Sequence, residues 1–406
     1  MIQKFLQESG FLPDADVRAK VSAAFASEIE AAMRGGPSSL RMLQSYIPGE
    51  VDLPVDAAKP VIVVDAGGTN LRVASIRLTQ DGPVISHLRK SPMPGTQGAL
   101  SADAFHAAIA SEVDAVRALE PFAARIGYCF SYECRSLPDR DAELLAWSKQ
   151  IEAPEVVGQR VGHELARRLA GGPLPVVVLN DTVATLLAGR SRPGGARMGQ
   201  LGFILGTGTN IACVEDGMIR NAESGNCDKM PRTPVDIAYG DTLPDGGAAP
   251  FEQMVSGGYL GGVGLFLLRA AARAGVLDGE GLSTIPALST LELESFSTGV
   301  CTADNPLMRA IAVSDIPAAR EIARAVFQRA AVFTAAHLAT FVRRSVDAGH
   351  TAVRITVDGS TYWKTRAVDF DGLVRVELAA TLPGVPIEIV RIDEAPMIGA
   401  AVAALM

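Results

Sequence analysis

Val17, Val21, Phe25, Ile29 and Met33 recur at four-residue steps, and this spacing predicts an amphipathic helix over 17–34 that ends near Gly35-Gly36. The run Pro60-Val-Ile-Val-Val-Asp65 is short, apolar and β-branched. Gly67-Gly68 and a second strand-like stretch, Leu71 to Leu78, follow it, so a β-hairpin is predicted. Phe105, Ile109, Val113 and Val116 form one stripe of a helix from about Ala102 to Leu119, with Ser101 as its N-cap. Further strands are predicted at Val176–Leu179, Gly202–Leu205, Ile211–Glu215, Val353–Val357 and Ile387–Val390, interleaved with helices at 154–170, 252–274 and 318–345. Alternation of this kind predicts an α/β architecture. Residues 224–250 carry no period and are rich in Pro, Gly and Asp, so a long site-forming loop is expected there. Arg269 and Arg273 interrupt the apolar segment 259–277, and His337 interrupts 330–342, so both are read as core helices and not as membrane spans.

Composition narrows the possibilities. The 406 residues suit several domains or one enzyme split into lobes, and an apolar share of 48% supplies well-formed cores, which excludes disorder as the main state. Lys plus Arg is 37 against 45 Asp plus Glu, a net charge of -8, which does not suit binding of nucleic acid by phosphate neutralisation. The five cysteines contain no CxxC pair and fit a reducing compartment, and the five histidines are too isolated to place two on one helix face for a metal. Met1 to Lys20 contains Glu8, Asp14 and Asp16 and no apolar core of signal-peptide length, so a cytoplasmic protein is expected.

Candidate chemistry concentrates at two glycine turns that echo each other, Val64-Asp-Ala-Gly-Gly-Thr-Asn70 and Leu205-Gly-Thr-Gly-Thr-Asn210. Neither is a P-loop, since no GxxxxGK[ST] occurs, and neither is a dinucleotide fingerprint, because a strand follows where a helix should. In a strand-turn-strand, glycines let the backbone approach an anion and successive N–H groups cup it, with the hydroxyls of Thr69 and Thr207 adding contacts. Either turn alone also reads as a plain hairpin. Asp65, at the end of an apolar strand, needs a cation and can serve Mg²⁺ directly or through water, or it caps the turn. Asn180-Asp181 stands where an apolar strand gives way to an apolar helix. It is either an N-cap or a carboxylate placed to accept a hydroxyl proton in phosphoryl transfer. Glu252 complements a helix dipole or serves a site, Lys149 is otherwise a surface charge, and Asp358-Gly359-Ser360 is otherwise a turn.

Taken in order, these segments resemble the hexokinase family of the actin-like sugar kinases, in its single-unit bacterial type. Ser38-Ser-Leu-Arg-Met-Leu43 is similar to the family's segment before the first strand, and Asp65-Ala-Gly-Gly-Thr-Asn-Leu-Arg72 to its first phosphate motif. Phe130-Ser131 with Leu144-Leu-Ala-Trp-Ser-Lys149 resembles a sugar segment, Asn180-Asp-Thr-Val-Ala-Thr-Leu186 the catalytic stretch, and Gly206-Thr-Gly-Thr-Asn210 the second phosphate motif. Phe251-Glu-Gln-Met-Val-Ser-Gly257 resembles a further sugar segment, and Asp358-Gly-Ser360 the adenosine motif. The series runs from 38 to 360 and leaves no room for a tandem second copy.

The resemblance implies a two-lobed actin-like ATPase (ribonuclease H-like) fold. Its small lobe would be 61–179 plus about 394–406, and its large lobe 1–60 plus 180–393. It implies an ATP- and Mg²⁺-dependent hexokinase acting on the 6-hydroxyl of a hexose, glucose first, with no nucleic-acid or membrane partner. Asp181 would be the general base and Lys149 would lie near the reacting hydroxyl, while Ser131, Ser148, Asn180, Asn210, Glu223 and Glu252 would bind the other hydroxyls. Gly67, Gly68, Thr69, Asn70 and Arg72 would line the phosphates with Thr207 and Gly208, Asp65 would serve magnesium, and Gly359 and Ser360 would meet the adenosine. Tyr132-Glu133 replaces the family's Phe-Pro, Ser148 replaces its Thr, and Asn221-Ala-Glu-Ser-Gly225 differs from the usual glutamate setting. A non-catalytic sugar sensor on this fold, or a kinase for mannose, fructose or an amino sugar, are the alternatives at this point.

Overall fold

The computed structural model describes residues 1–50, 59–147, 151–192 and 198–406. The strands in chain order are β1 (Leu43–Pro48), β2 (Val61–Gly67), β3 (Asn70–Thr79), β4 (Gly82–Pro92), β5 (Ile126–Phe130), β6 (Glu133–Ser136), β7 (Ala142–Ala146), β8 (Val176–Leu179), β9 (Gly199–Leu205), β10 (Thr209–Glu215), β11 (Met218–Asn221), β12 (Val353–Asp358) and β13 (Ile387–Val390). They form a five-stranded sheet in the order β4-β3-β2-β5-β8, a six-stranded sheet in the order β1-β11-β10-β9-β12-β13, and the ribbon β6-β7. In the first large sheet β2, β3 and β4 pair antiparallel and β5 and β8 extend it in parallel. In the second, β9, β10 and β11 pair antiparallel and β12 and β13 extend it in parallel. The faint echo between the glycine turns is therefore the sequence trace of two similarly ordered sheets, each with its turn after the first strand of the meander.

The strand patterns follow from their places in the sheets. Six of the seven residues of β2 are buried and β5 is buried throughout, as a strand covered on both faces requires. At the edge, β4 is largely exposed and carries Arg89 and Lys90, charges that discourage edge-to-edge pairing. The apolar helices Asp181–Arg190 and Ala395–Leu405 are packed between the two sheets, sharing one core with Val63, Cys129, Ala212 and Ile219. A Cβ at Gly399 would overlap the Ala184 carbonyl, and one at Gly127 would overlap that of Ala400, so glycine is what lets these backbones approach. This packing fixes the N-terminus of Asp181–Arg190 at the junction of the sheets.

The predicted strands and hairpin are present within a few residues, and the helix predicted at 17–34 is Ala15–Met33, capped by the Asp14 side chain accepting from the Val17 N–H at 2.9 Å. Two predicted helices are corrected. The stretch 154–170 is a single 3-10 turn, Pro154–Val156, and a short helix, Val161–Ala166. The stretch 252–274 is two helices, Pro250–Val255 and Leu260–Arg273, because between them Gly257 and Gly258 give their N–H groups to the Gly206 and Thr207 carbonyls at 2.8 and 2.9 Å. The expected loop 224–250 holds a 3-10 turn, Ser224–Asn226, and a seven-residue helix, Pro234–Gly240, started by a Thr233/Asp236 capping box.

The helix Ile316–Asp347 is long and apolar enough to cross a bilayer, but most of it is buried in this fold. At its centre His337 lies among Phe25, Phe251, Phe341 and Phe203, with ring centroids 4.4 to 5.6 Å away. Neither of its nitrogens has a hydrogen-bond partner among the described residues, and burial pushes the imidazole down to about 3. Between pH 6.5 and about 3 the unfolded chain therefore takes up a proton that the native site refuses, so stability falls as the pH drops through this window. At pH 5 this one group removes about 2 kcal/mol, at 1.36 kcal/mol per pH unit below its unfolded value. His337→Phe is expected to raise the urea midpoint more at pH 5 than at pH 8; an equal change at both would show that His337 titrates normally.

Candidate active site at the junction of the two sheets

The parallel strands β2, β5 and β8 bring their carboxyl ends to one place, the position where open α/β sheets bind ligands. At the end of β2, Gly67 and Gly68 turn the chain into β3, with Gly68 at φ +69°, a left-handed conformation that glycine adopts freely. Beside them, Ser131 leaves β5 with its N–H on the Ala66 carbonyl at 3.2 Å. After β8, the Asn180 side chain accepts from the Thr182 N–H at 2.8 Å and so caps the helix whose first residue is Asp181. Asn180 is the cap, and Asp181 lines a cavity.

That cavity measures about 690 Å³ and is lined by Gly67, Gly68, Thr69, Ser131, Asn180, Asp181, Thr207, Gly208, Asn210, Glu223 and Glu252, all of them expected site residues. Its far wall is a hydrogen-bonded cluster. The Asn210 amide donates to Asn221 at 2.7 Å and to Glu223 at 3.2 Å, and the Asn221 amide donates to Glu223 at 2.7 Å. Glu223 itself has a left-handed backbone, φ 53°, which turns the chain out of β11 toward the cavity. Glu252 accepts from the Thr209 N–H at 2.8 Å and from the Tyr259 hydroxyl at 3.4 Å, so it is seated on the second glycine turn.

The other described site candidates do not line this cavity. Gly359, φ +124°, packs on the second turn so closely that a Cβ would overlap the Leu205 carbonyl. Ser360 begins the helix Ser360–Lys364 beside it, and Thr361 donates to the Gly206 carbonyl at 2.7 Å. Asn70 is exposed and donates to the Thr69 hydroxyl at 3.3 Å. Ser148 and Lys149 lie outside the described residues. Asp65 is 3% exposed and pairs with the Arg72 guanidinium, whose Nε donates at 2.7 Å and which also reaches Glu394. Arg72 is thus engaged by two carboxylates rather than lying open toward the cavity.

A family model described as hexokinase matches residues 2–191, and a second one matches residues 200–406, about half of the chain by itself. The chain belongs to the hexokinase family. Among curated hexokinases it is 28% identical to hexokinase-1 of Schizosaccharomyces pombe over 285 residues, 63% of this chain and 58% of that protein. It is 31% identical to hexokinase-1 of Nicotiana tabacum over 314 residues, 69% of this chain and 61% of that protein. The chain thus spans little more than half the length of such relatives. Among solved structures, a Schistosoma mansoni hexokinase complexed with glucose superposes with a TM-score of 0.77 at 22% identity, covering 100% of this chain and 99% of that one. Another hexokinase crystal structure does so at 0.79 and 23%, with 99% of each chain covered. These fix the two-lobed fold.

The electrostatics of this candidate site are dominated by buried acids. Burial raises Asp65, offset by Arg72, and the Asp181 carboxylate pushes it up further. Burial likewise raises Asp358, with the Gly359 N–H opposing and Asp181 adding to the shift. Oxygen donors that repel one another in this way suit a hard cation held through water and phosphate oxygens, the manner in which Mg²⁺ usually binds. No group of three His, Cys, Asp or Glu able to chelate a metal occurs among the described residues. Burial also raises Glu223, and the Asn221 amide opposes it. Sequence reasoning missed Arg41, Tyr132, Glu133, Asn221 and Asn226, which also line the cavity. Asn221 carried a signal as a polar residue two positions before Glu223, Tyr132-Glu133 as the pair that replaces the family's Phe-Pro, and Arg41 by its place in the segment 38–43.

Proposed function

We propose that the chain is an ATP-dependent hexokinase that phosphorylates the 6-hydroxyl of a hexose, with glucose as the first substrate. The observation that carries this reading is Asp181 at a helix N-terminus, in one cavity with Asn180, Asn210, Glu223 and Glu252. A pyranose presents a ring of hydroxyls, and these carboxylates and amides match it as acceptors and donors, so a ligand lacking a hydroxyl leaves a buried partner unpaired. The Schistosoma mansoni relative was solved with glucose, which supports the same ligand here.

In this reading Asp181 takes the proton of the 6-hydroxyl as its oxygen bonds to the γ-phosphorus of ATP, while the bond from that phosphorus to the bridging oxygen breaks and ADP leaves. Ser131, Asn180, Asn210, Glu223 and Glu252 hold the sugar, with Ser148 and Lys149 completing the set by their place in the family motif. Gly67, Gly68, Thr69, Thr207 and Gly208 offer their amides and hydroxyls to the phosphates, and Gly359 and Ser360 meet the adenosine. Asp65 would hold Mg²⁺ through water, and the ion would supply charge neutralisation of the phosphates. Asn70 belongs at the mouth of the first turn. Arg72 opposes the rise of the Asp65 carboxyl that burial causes.

A coupled ADP-release assay over glucose, mannose, fructose, galactose and glucosamine tests the reading. Turnover is expected with glucose highest; purified protein that binds glucose yet releases ADP with no hexose would instead be a sugar sensor.

A further inference from the structure

One contact joins the two lobes at the mouth of the cavity. Arg41 stands before β1, in the unit of the six-stranded sheet, and Glu133 opens β6 on the opposite side. The Arg41 Nη1 donates to Glu133 Oε1 at 2.6 Å across 92 positions of sequence, and both residues line the cavity. Their side chains are 49% and 42% exposed, so the pair lies at the rim in contact with water.

Each partner is anchored to one wall. The Arg41 N–H donates to the Ala222 carbonyl at 3.1 Å, next to Glu223, and the Arg41 guanidinium opposes the rise of the Glu223 carboxyl that burial causes. On the other side Tyr132, the neighbour of Glu133, donates its hydroxyl to the Gly68 carbonyl at 2.9 Å, and its ring packs on Phe130 and Trp147 at 4.8 and 4.9 Å. A proline at position 133, as in the family's Phe-Pro, has no charge to offer Arg41. The Tyr-Glu of this chain therefore carries both a strut to the first glycine turn and one half of an ion pair to the opposite lobe.

We infer that the Arg41–Glu133 ion pair is a latch that holds the two walls of the cavity together and thereby sets the affinity for the hexose. The inference rests on the proposed reaction. A ligand gripped by Ser131 and Asp181 on one wall and by Asn210, Glu223 and Glu252 on the other binds tightly only when the walls are close. A contact that favours the close arrangement raises the apparent affinity by the fraction of molecules it recruits. Neither side chain takes part in the chemical step, so the latch changes KM and leaves kcat nearly constant.

The test is a double-mutant cycle with Arg41→Met, Glu133→Gln and both together, read as hexose KM and kcat and as glucose Kd by calorimetry. A half-exposed pair is worth up to about 1 kcal/mol, so each single change is expected to raise KM and Kd about two- to fivefold with kcat within about twofold. The double variant is expected to be no worse than the weaker-binding single one, and Arg41→Lys to keep most of the affinity. Melting temperatures within a degree or so of wild type verify that folding is intact. The latch is overturned if the single changes leave KM and Kd alone, if their effects multiply in the double variant, or if kcat falls with them. Those results in an active wild type leave the proposed reaction standing, whereas a wild type that neither binds nor phosphorylates any hexose overturns both.

Discussion

Asp181→Asn is expected to lower kcat by at least about a hundredfold while glucose Kd changes by no more than a few-fold, because a positioned general base contributes typically 10² to 10⁴ in rate. The substitution keeps the size of the side chain and a carbonyl oxygen to accept the Thr182 hydroxyl, which donates to Asp181 at 3.2 Å. What it removes is the site that accepts the hydroxyl proton. It also removes an anion from the first turn of Asp181–Arg190, where a negative charge complements the helix dipole by about 0.3–1 kcal/mol, so stability should fall only slightly. The measurement is steady-state kcat with saturating hexose and ATP, paired with calorimetric binding of glucose. An Asn variant that turns over at the wild-type rate would remove Asp181 from the mechanism, and one that also loses glucose binding would make it a ligand of the sugar rather than its base.

Much of the site is legible in the sequence because its residues stand where the apolar pattern breaks. Gly67-Gly68, Ser131 and Asn180-Asp181 each stand where an apolar strand ends, and three parallel strands ending together bring them to one cavity. The partner of Asp65 is legible too, since Asp65 and Arg72 face each other in the register of the predicted hairpin. Its second contact, Glu394, is not, because it comes from 322 positions away. The helix at 252–274 is misread for a related reason. The apolar stripe Phe251, Met254, Val255 and Tyr259 spans the break, although Gly257-Gly258 is a local turn signal, and the distant Gly206 and Thr207 carbonyls, which take the Gly257 and Gly258 amides, show where the chain opens. The helix Pro234–Gly240 is only seven residues long, too short for a period to show, although Thr233 and Asp236 have the spacing of a capping box.

That short helix carries the largest stability effect expected outside the site. Arg329, 0% exposed in the helix Ile316–Asp347, donates to both carboxylate oxygens of Asp236 at 2.7 and 2.9 Å, and Asp236 also accepts from the Thr233 N–H and hydroxyl at 2.8 and 2.7 Å. The guanidinium lies 3.8 Å from the centroid of Phe11, with no water-facing route for its charge. Asp236→Ala would leave a buried cation without its partner, which typically costs about 3–5 kcal/mol. Loss of the capping box adds about 1 kcal/mol. Burial pushes Asp236 up, but Arg329 and the Thr233 donors outweigh it and hold the carboxyl below its ordinary 3.8. A depressed carboxyl contributes its full stability above the unfolded value and loses it as the pH falls through the folded one, so the deficit of Asp236→Ala should be the same at pH 5 and pH 8 and shrink only below about 4. Urea unfolding at those pH values measures it. Because a buried ion pair is often no better than well-packed apolar side chains, Asp236→Ala with Arg329→Met should recover much of the loss. A double variant as unstable as Asp236→Ala alone would show instead that the cap, and not the stranded charge, carries the effect.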